Sequence, residues 1–78
     1  MQLKVIGSNQ TEVEIGTKKV LFSYNTPVAY YDIKTGQAYK TCKVWSNTTS
    51  KHINTWIMAN QVPFVTKIGQ EELDKLVA

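Results

Sequence analysis

The stretch "VWSNTTSKHINTW", from Val44 to Trp56, marks the point at which the spacing of apolar residues changes. Upstream of it, "TEVEI" (11–15) alternates polar and apolar residues, the period of a β-strand, and the segment after Gly16 is rich in β-branched and aromatic residues. From Ile53 onward, apolar residues fall at Ile53, Trp56 and Ile57, the spacing of one face of an α-helix. This change of period predicts strands in the first half of the chain and helices in the second.

Four or five strands are predicted upstream of that stretch, joined by short turns. A loop that contains Gly16 joins the second and third of them as a hairpin, and Gly36 stands in a turn where a positive φ is needed. Pro27 is expected to lie outside the strands, because proline cannot donate to a β-ladder. The tight connections favour antiparallel pairing. The segments are "LKVI" (3–6, the optional fifth strand), "TEVEI" (11–15), "KVLFSYN" (19–25), "VAYYDI" (28–33) and "QAYKTCKVW" (37–45).

Two helices are predicted downstream. The first ends at Asn60 or Gln61, and "VPFVTKI" (62–68) follows as an extended connector or short edge strand. The second is "GQEELDKLVA" (69–78), whose acidic first turn and later Lys75 suit the helix dipole. The sequence therefore predicts a single α+β domain over residues 1–78, an antiparallel β-meander of four to five strands followed by two helices packed on one face.

The length and the cysteine usage restrict the class of protein. A chain of 78 residues has room for one small core. Cys42 is the only cysteine, so an intramolecular disulfide is excluded, and we expect it to be a small buried residue. No apolar run approaches the roughly 20 residues of a membrane span, and no signal peptide is evident. We therefore expect a cytoplasmic protein without membrane contact.

Charge is distributed unevenly along the chain. The net charge is +3, and the chain contains no arginine. Residues 33–70 contain no carboxylate, whereas the last eight residues are acidic. This central segment is therefore a candidate surface for an anionic partner, although a solvated lysine face is the commoner explanation of such a run. Its lysines are Lys34, Lys40, Lys43, Lys51 and Lys67.

The hydroxyl groups around His52 raise the question of nucleophilic catalysis. A Ser/Thr–His pair needs direct contact and a third group that orients the imidazole. Thr48 and Thr49 are close enough in sequence to reach His52, but no nearby carboxylate is available to orient it. We expect instead that Thr48 or Thr49 caps the helix and that His52 packs beside Trp56 on its inner face. No catalytic residue is assigned, and the protein is expected not to be an enzyme.

Metal and cofactor sites lack the residues that they need. One histidine and one cysteine cannot form a structural zinc site. The four glycines are isolated from one another and form neither a phosphate loop nor a dinucleotide-binding pattern. We therefore expect no metal and no cofactor.

Three segments, "VLFSYNTPVAYY", "VWSNTTSKHINTWI" and "QEELDKL", resemble a group of small uncharacterised phage proteins. The shared features are an FSYNTPVA strand and a WSxTTSKHINxW segment, and the resemblance runs from about Gln2 to Leu76. It implies a compact domain that acts in the cytoplasm of an infected bacterium. It implies no activity and no catalytic or ligand residue.

The first functional hypothesis is a module that binds and modulates a host protein, such as a defence component, in the manner of an inhibitor. Its physical support is the supply of aromatic residues, which are enriched at interfaces. Tyr30 and Tyr31 are adjacent on a strand and should point to opposite faces of the sheet. The plainer alternative is that these rings only border the core. The candidate aromatic residues are Tyr30, Tyr31, Tyr39 and Trp45.

The alternative hypothesis is an accessory protein that binds single-stranded nucleic acid through a face of lysines and aromatic rings. Lys40, Lys43 and Lys51 would contact phosphates, while Tyr39 and Trp45 would stack on bases. The absence of arginine removes the commonest base-specific contact to duplex DNA. A homodimer is a third arrangement, because a small domain with an open edge strand can pair with its own copy.

Overall fold

The computed structural model describes residues 2–7, 9–43, 46–62 and 64–77, with side chains at Val5 and from residue 9 onward within these ranges. Within them, six strands form one sheet in chain order, and two helices flank the last strand. The predicted α+β class and its mostly antiparallel sheet are confirmed. The elements are β1 (Gln2–Gly7), β2 (Gln10–Ile15), β3 (Lys18–Ser23), β4 (Thr26–Asp32), β5 (Gln37–Thr41), α1 (Asn47–Ala59), β6 (Val65–Ile68) and α2 (Gln70–Val77).

Strands β1 to β5 form the predicted antiparallel meander, each paired with the next. Gly16, with φ +59°, turns the chain between β2 and β3, and Gly36, with φ +76°, turns it between β4 and β5. Both values lie in the left-handed region that glycine enters without steric cost. The carboxylate of Asp32 also accepts a 2.9 Å hydrogen bond from the Lys34 N–H, which stabilises the second turn.

Pro27 lies inside β4, so the prediction that it would stand outside the strands is wrong. Leu21 pairs with Ala29 while the next residue, Phe22, pairs with Pro27, which leaves Val28 as the extra residue of a β-bulge. A bulge interrupts the ladder and so tolerates a residue that lacks an N–H. Val28 is consequently buried in the same cluster as Leu21 and Ala29.

The segment after α1 forms an edge strand, and it runs parallel to its neighbour. Strand β6 pairs with β5 from Ala38–Val65 to Thr41–Ile68. A parallel pair requires a crossover connection, and α1 supplies it. Strand β5 ends at Thr41, before the predicted end at Trp45, and residues 44 and 45 lie outside the described part of the chain.

Both faces of the central strand β3 are covered. Val20 and Leu21 are neighbours in sequence, point to opposite faces of the sheet and are both 0% exposed. On the Leu21 face, the core cluster includes Ile53 and Trp56 of α1. Helix α1 therefore covers the Leu21 face.

Helix α2 lies on the opposite face, which differs from the predicted packing of both helices on one face. It contacts β4, and the Gln70 side chain donates a 2.7 Å hydrogen bond to the carbonyl oxygen of Pro27. The pKa of Tyr30 is raised by burial and then by nearby negative groups, among them Glu72 of α2. Because Tyr30 pairs with Val20, α2 approaches the Val20 face. The two helices can separate in this way because β6 carries the chain along the sheet edge between them.

The first helix is capped by Ser46, which corrects the prediction of Thr48 or Thr49. Ser46 has an extended backbone (φ −165°), and its hydroxyl accepts a 3.1 Å hydrogen bond from the Thr49 N–H. Thr48 and Thr49 both lie within the first turn. Several adjacent hydroxyl residues can cap a helix, so composition alone did not select the residue. The predicted end is confirmed, with Asn60 as the C-cap.

Replacement of the cap tests this assignment. Ser46→Ala leaves a helix N–H without its acceptor and should lower the free energy of unfolding by about 1 kcal/mol. Thr48 is exposed and takes no part in the cap hydrogen bond. The free energy of unfolding of Thr48→Ala should therefore stay within about 0.5 kcal/mol of the parent value. Urea unfolding followed by circular dichroism measures both. Equal effects of the two substitutions would contradict the assignment of Ser46.

Candidate functional site

A chain of hydroxyl groups leads from the start of α1 to His52. The Ser46 hydroxyl donates to Thr49 Oγ1 at 3.3 Å, Thr49 Oγ1 lies 3.1 Å from Ser23 Oγ, and Ser23 Oγ lies 2.9 Å from His52 Nδ1. The exposed fractions of Ser23, Thr49 and His52 are only 2%, 5% and 9%. We call these four residues the hydroxyl–histidine network.

One direction of donation satisfies every hydroxyl in this network. In this arrangement Ser46 donates to Thr49, the Thr49 hydroxyl donates to Ser23, and the Ser23 hydroxyl donates to His52 Nδ1. This places the proton of a neutral imidazole on Nε2. The ring of Tyr24 lies over the same histidine, with centroids 6.1 Å apart and planes inclined by 41°. The network connects the first turns of α1 to the end of β3.

The network lacks the features of a nucleophilic site. Ser23, the hydroxyl nearest to the imidazole, is almost completely buried and cannot meet a substrate. Within the described residues no carboxylate bonds the ring of His52. Glu12 approaches α1 from the sheet, but its carboxylate accepts a 2.8 Å hydrogen bond from the indole N–H of Trp56. A pair without access and without an orienting acid is suited to holding a helix in place.

A cleft between α1 and the β5–β6 edge is lined by positively charged side chains. Lys40 and Lys67 are direct partners in the parallel pairing of β5 with β6, and Lys43 follows from the end of β5. The cleft has a volume of about 200 Å³. We call it the lysine cleft, and its lining residues are Lys40, Thr41, Cys42, Lys43, Ser50, Ile53, Asn54 and Lys67.

Two residues near the lysine cleft differ from expectation. Cys42 lines it as an exposed free thiol, so the expected burial of this residue is wrong. It follows the end of β5, where its N–H is held by a 2.8 Å hydrogen bond to the carbonyl oxygen of Ile68. Lys51 is exposed on α1 but does not line the cleft.

An aromatic surface lies on the other face of the sheet. Tyr30 and Tyr39 are cross-strand partners whose rings stack with centroids 4.7 Å apart and planes inclined by 24°. Beside Tyr39, the ring of Phe64 is 83% exposed. It borders a hollow of about 400 Å³ that we call the aromatic hollow, lined by Gly36, Gln37, Ala38, Tyr39, Phe64 and Thr66.

The predicted aromatic and basic residues do not form a single surface. Tyr39 and Lys40 are neighbours on β5 and therefore point to opposite faces, one to the aromatic hollow and the other to the lysine cleft. Tyr31 packs against the core on the α1 side, opposite Tyr30, while Trp45 lies outside the described residues.

Sequence reasoning did not single out two residues that matter at these surfaces. Phe64 stood in a segment read only as a connector or edge strand, and its apolar ring was the one available signal. Lys67 was counted among the central lysines, but its place opposite Lys40 depends on a parallel register that local sequence does not encode.

Other kinds of site find no support in the described residues. No group of three or more histidine, cysteine, aspartate or glutamate side chains is arranged there to hold a metal ion. Neither α1 nor α2, the helices in the described ranges, has the length and apolar character needed to cross a bilayer.

The comparison with known proteins identifies a family. Residues 1–75 match the one described as "Family of unknown function (DUF8033)". The chain belongs to DUF8033. This confirms the part of the resemblance that indicated an uncharacterised family. No curated protein and no solved structure matches this DUF8033 chain.

Removal of the central hydroxyl tests the hydroxyl–histidine network. Ser23→Ala deprives both His52 Nδ1 and Thr49 Oγ1 of a buried partner and should lower the free energy of unfolding by about 1–3 kcal/mol. Ser50→Ala removes an exposed hydroxyl from α1, the helix that carries Thr49 and His52, and should change the free energy of unfolding by less than about 0.5 kcal/mol. Urea denaturation gives both values. If Ser23→Ala left the free energy of unfolding unchanged, the structural role of the hydroxyl–histidine network would be refuted.

The stacked tyrosines predict that the stability of the fold depends on pH in the alkaline range. Burial, and then the nearby Tyr39, Asp32 and Glu72, raise the pKa of Tyr30 above its ordinary value of 10.0. The folded protein therefore holds the phenolic proton more tightly than the unfolded chain, and stability falls as the pH rises through the unfolded value of about 10 toward the folded pKa. Tyr30→Phe should lose this part of the decline, measured by denaturation at several alkaline pH values. Tyr24→Phe, at an exposed position, should retain it.

Proposed function

We propose that this DUF8033 chain is a non-enzymatic binding protein that docks on a host protein through the aromatic hollow and modulates it in the cytoplasm of an infected bacterium. The resemblance to small phage proteins supports the setting, in which a defence component is one suitable target. The aromatic hollow supports the mode of action, because it offers a contact surface that the fold itself leaves uncovered.

The exposed ring of Phe64 is the observation that carries this proposal. Phe64 is 83% exposed, although burial of such a side chain is worth roughly 1.5–3 kcal/mol. It lies beside Tyr39, whose hydroxyl donates to Gln37, so one flank of the hollow is apolar and the other can form hydrogen bonds. An apolar anchor next to a rigid, partly polar aromatic ring is typical of a protein-binding hot spot.

The charges around the hollow favour a protein over nucleic acid. The carboxylates of Asp32 and Glu72 lie close enough to Tyr30 to help raise its pKa, so the aromatic side carries negative groups. A nucleic-acid strand that stacked on Tyr39 would bring its phosphates toward those groups. The lysine that follows Tyr39 points to the other face, where it cannot contact the same strand segment.

Pairing with a second copy along the β6 edge, which borders the hollow, is less suited to the structure. Strand β6 offers only four residues, and Lys67 places a charge on it. Short, charged edge strands disfavour edge-to-edge association. A homodimer is accordingly one outcome of the test and not the proposal itself.

Paired surface variants test the proposed interface. A tagged chain would be used to capture partners from a bacterial lysate, and the captured protein would then be purified for affinity measurement. Phe64→Ser and Tyr39→Ser should each weaken its binding about 30-fold, as expected for a hot spot worth about 2 kcal/mol. Met58→Ser is the matched control, because Met58 is 77% exposed but lies on α1, away from the hollow.

The controls separate the alternatives. Met58→Ser should bind as the parent does, and Met58→Ser and Phe64→Ser should unfold within about 0.5 kcal/mol of the parent, since both are changes at exposed positions. Tyr39→Ser also removes a half-buried ring that stacks on Tyr30, so it should lose more stability, and its binding is measured where circular dichroism shows it to be folded. Binding that survives Phe64→Ser and Tyr39→Ser would refute the hollow as the interface. A parent chain that elutes as a dimer, and a Phe64→Ser variant that elutes as a monomer, would replace the host partner by a second copy.

A further inference from the structure

The lysine cleft concentrates positive charge. Its lining contains three lysines and no carboxylate, and the sequence has no carboxylate from residue 33 to residue 70. Lys40 and Lys67 are direct cross-strand partners. Like charges placed opposite each other on neighbouring strands destabilise a sheet. A bound anion would relieve this repulsion, so the cleft has an electrostatic reason to take one.

Neutral hydrogen-bonding groups complete the lining. Ser50 and Asn54 are four residues apart on α1, so they lie on the same side of the helix, facing the lysines across the cleft. At the base, Thr41 is 5% exposed, and its hydroxyl accepts a 3.1 Å hydrogen bond from the Lys43 N–H, which fixes the chain as it leaves β5. A hydroxyl, an amide and several ammonium groups around one small space suit an anion with several acceptor oxygens.

The size of the cleft limits the ligand to a compact group. Its volume of about 200 Å³ is below the range of about 300–1,000 Å³ that holds drug-sized molecules. One charged group can enter, while the rest of a larger ligand would remain outside. Lysine is a common phosphate ligand because its ammonium acts as a mobile point charge with three donors.

We propose that the lysine cleft binds the phosphate group of a phosphomonoester, with Lys40 and Lys67 supplying charge and Ser50 and Asn54 supplying hydrogen bonds. The source of that group is a free nucleotide or the phosphorylated end of a nucleic-acid strand, which share this chemistry. The site lies on the face opposite the aromatic hollow. It is therefore independent of the proposed protein partner, and the two ideas fail separately.

Calorimetric titration at low salt tests the site directly. The probes are inorganic phosphate, a nucleoside 5′-monophosphate and the matching nucleoside. Both phosphate probes should bind, and the nucleoside should not. Lys67→Gln should weaken binding of the monophosphate about tenfold, as expected for loss of a hydrogen bond to a charged group. Lys51→Gln is the control, because it removes the same charge from an exposed residue of α1 that does not line the cleft.

Two further readouts do not depend on heats of binding. Cys42 is the single thiol of the chain and lines the cleft, so monophosphate at a concentration that half-saturates the parent should slow its reaction with an uncharged thiol reagent clearly in the parent and only slightly in Lys67→Gln. Lys67→Gln should also unfold at a higher temperature than the parent in phosphate-free buffer, because the repulsion with Lys40 is gone. The phosphate-dependent rise in Tm should be smaller in this variant.

An oligonucleotide with or without a 5′-phosphate distinguishes the two sources. Tighter binding of the phosphorylated oligonucleotide than of the free monophosphate assigns the cleft to strand ends, and equal binding assigns it to a small phosphomonoester. Absence of phosphate binding to the folded parent would refute the site. Equal losses in Lys51→Gln and Lys67→Gln, or equal binding of oligonucleotides with and without the 5′-phosphate, would reduce it to general charge attraction and would also refute it.

Discussion

The burial of strand β3 on both faces is the constraint from which the rest of the architecture follows. Val20 and Leu21 are both fully buried, so a 78-residue chain has to place a helix on each side of its sheet. Antiparallel hairpins cannot move the chain from one face to the other. Strand β6 does so by adding to the edge beside β5 in parallel, with α1 before it and α2 after it. The lysine cleft and the aromatic hollow both adjoin this edge.

The position of α1 depends on buried polar contacts as much as on apolar packing. Ser23 of the sheet bonds His52 near the start of the helix, and Glu12 accepts a hydrogen bond from the indole N–H of Trp56 about one turn later. These contacts join residues 29 and 44 positions apart, so they form only when the sheet has reached its native register. Since an unpartnered buried polar group costs about 1–3 kcal/mol, a slipped helix would lose more than contact area. The polar contacts therefore specify the position of the helix, while Ile53 supplies apolar contact.

The sequence predicted those features that depend on local period and failed where partners are distant. Alternation in residues 11–15, β-branched and aromatic content and turn signals indicated the strands, and the spacing from Ile53 indicated α1, because each pattern is complete within a few residues. The parallel partner of β6 and the face covered by α2 depend on the crossover, which no short segment records. Pro27 was misplaced because the bulge at Val28 involves the register of two strands. For the site, the nucleic-acid hypothesis placed Tyr39 and Lys40 on one face, although consecutive strand residues point to opposite faces, and the juxtaposition of Lys40 and Lys67 required the structure.

Strand β5 links the two surfaces because its consecutive residues serve opposite faces. Tyr39 contributes to the aromatic hollow, and Lys40 contributes to the lysine cleft, within one peptide unit. The separation also sorts charge, since Glu72 lies on the aromatic side and Lys67 lines the cleft. Both surfaces are bounded by the short edge strand β6, whose residue Thr66 borders the hollow and whose next residue borders the cleft. Displacement of β6 from β5 would therefore alter the lining of both surfaces, because each contains residues of both strands.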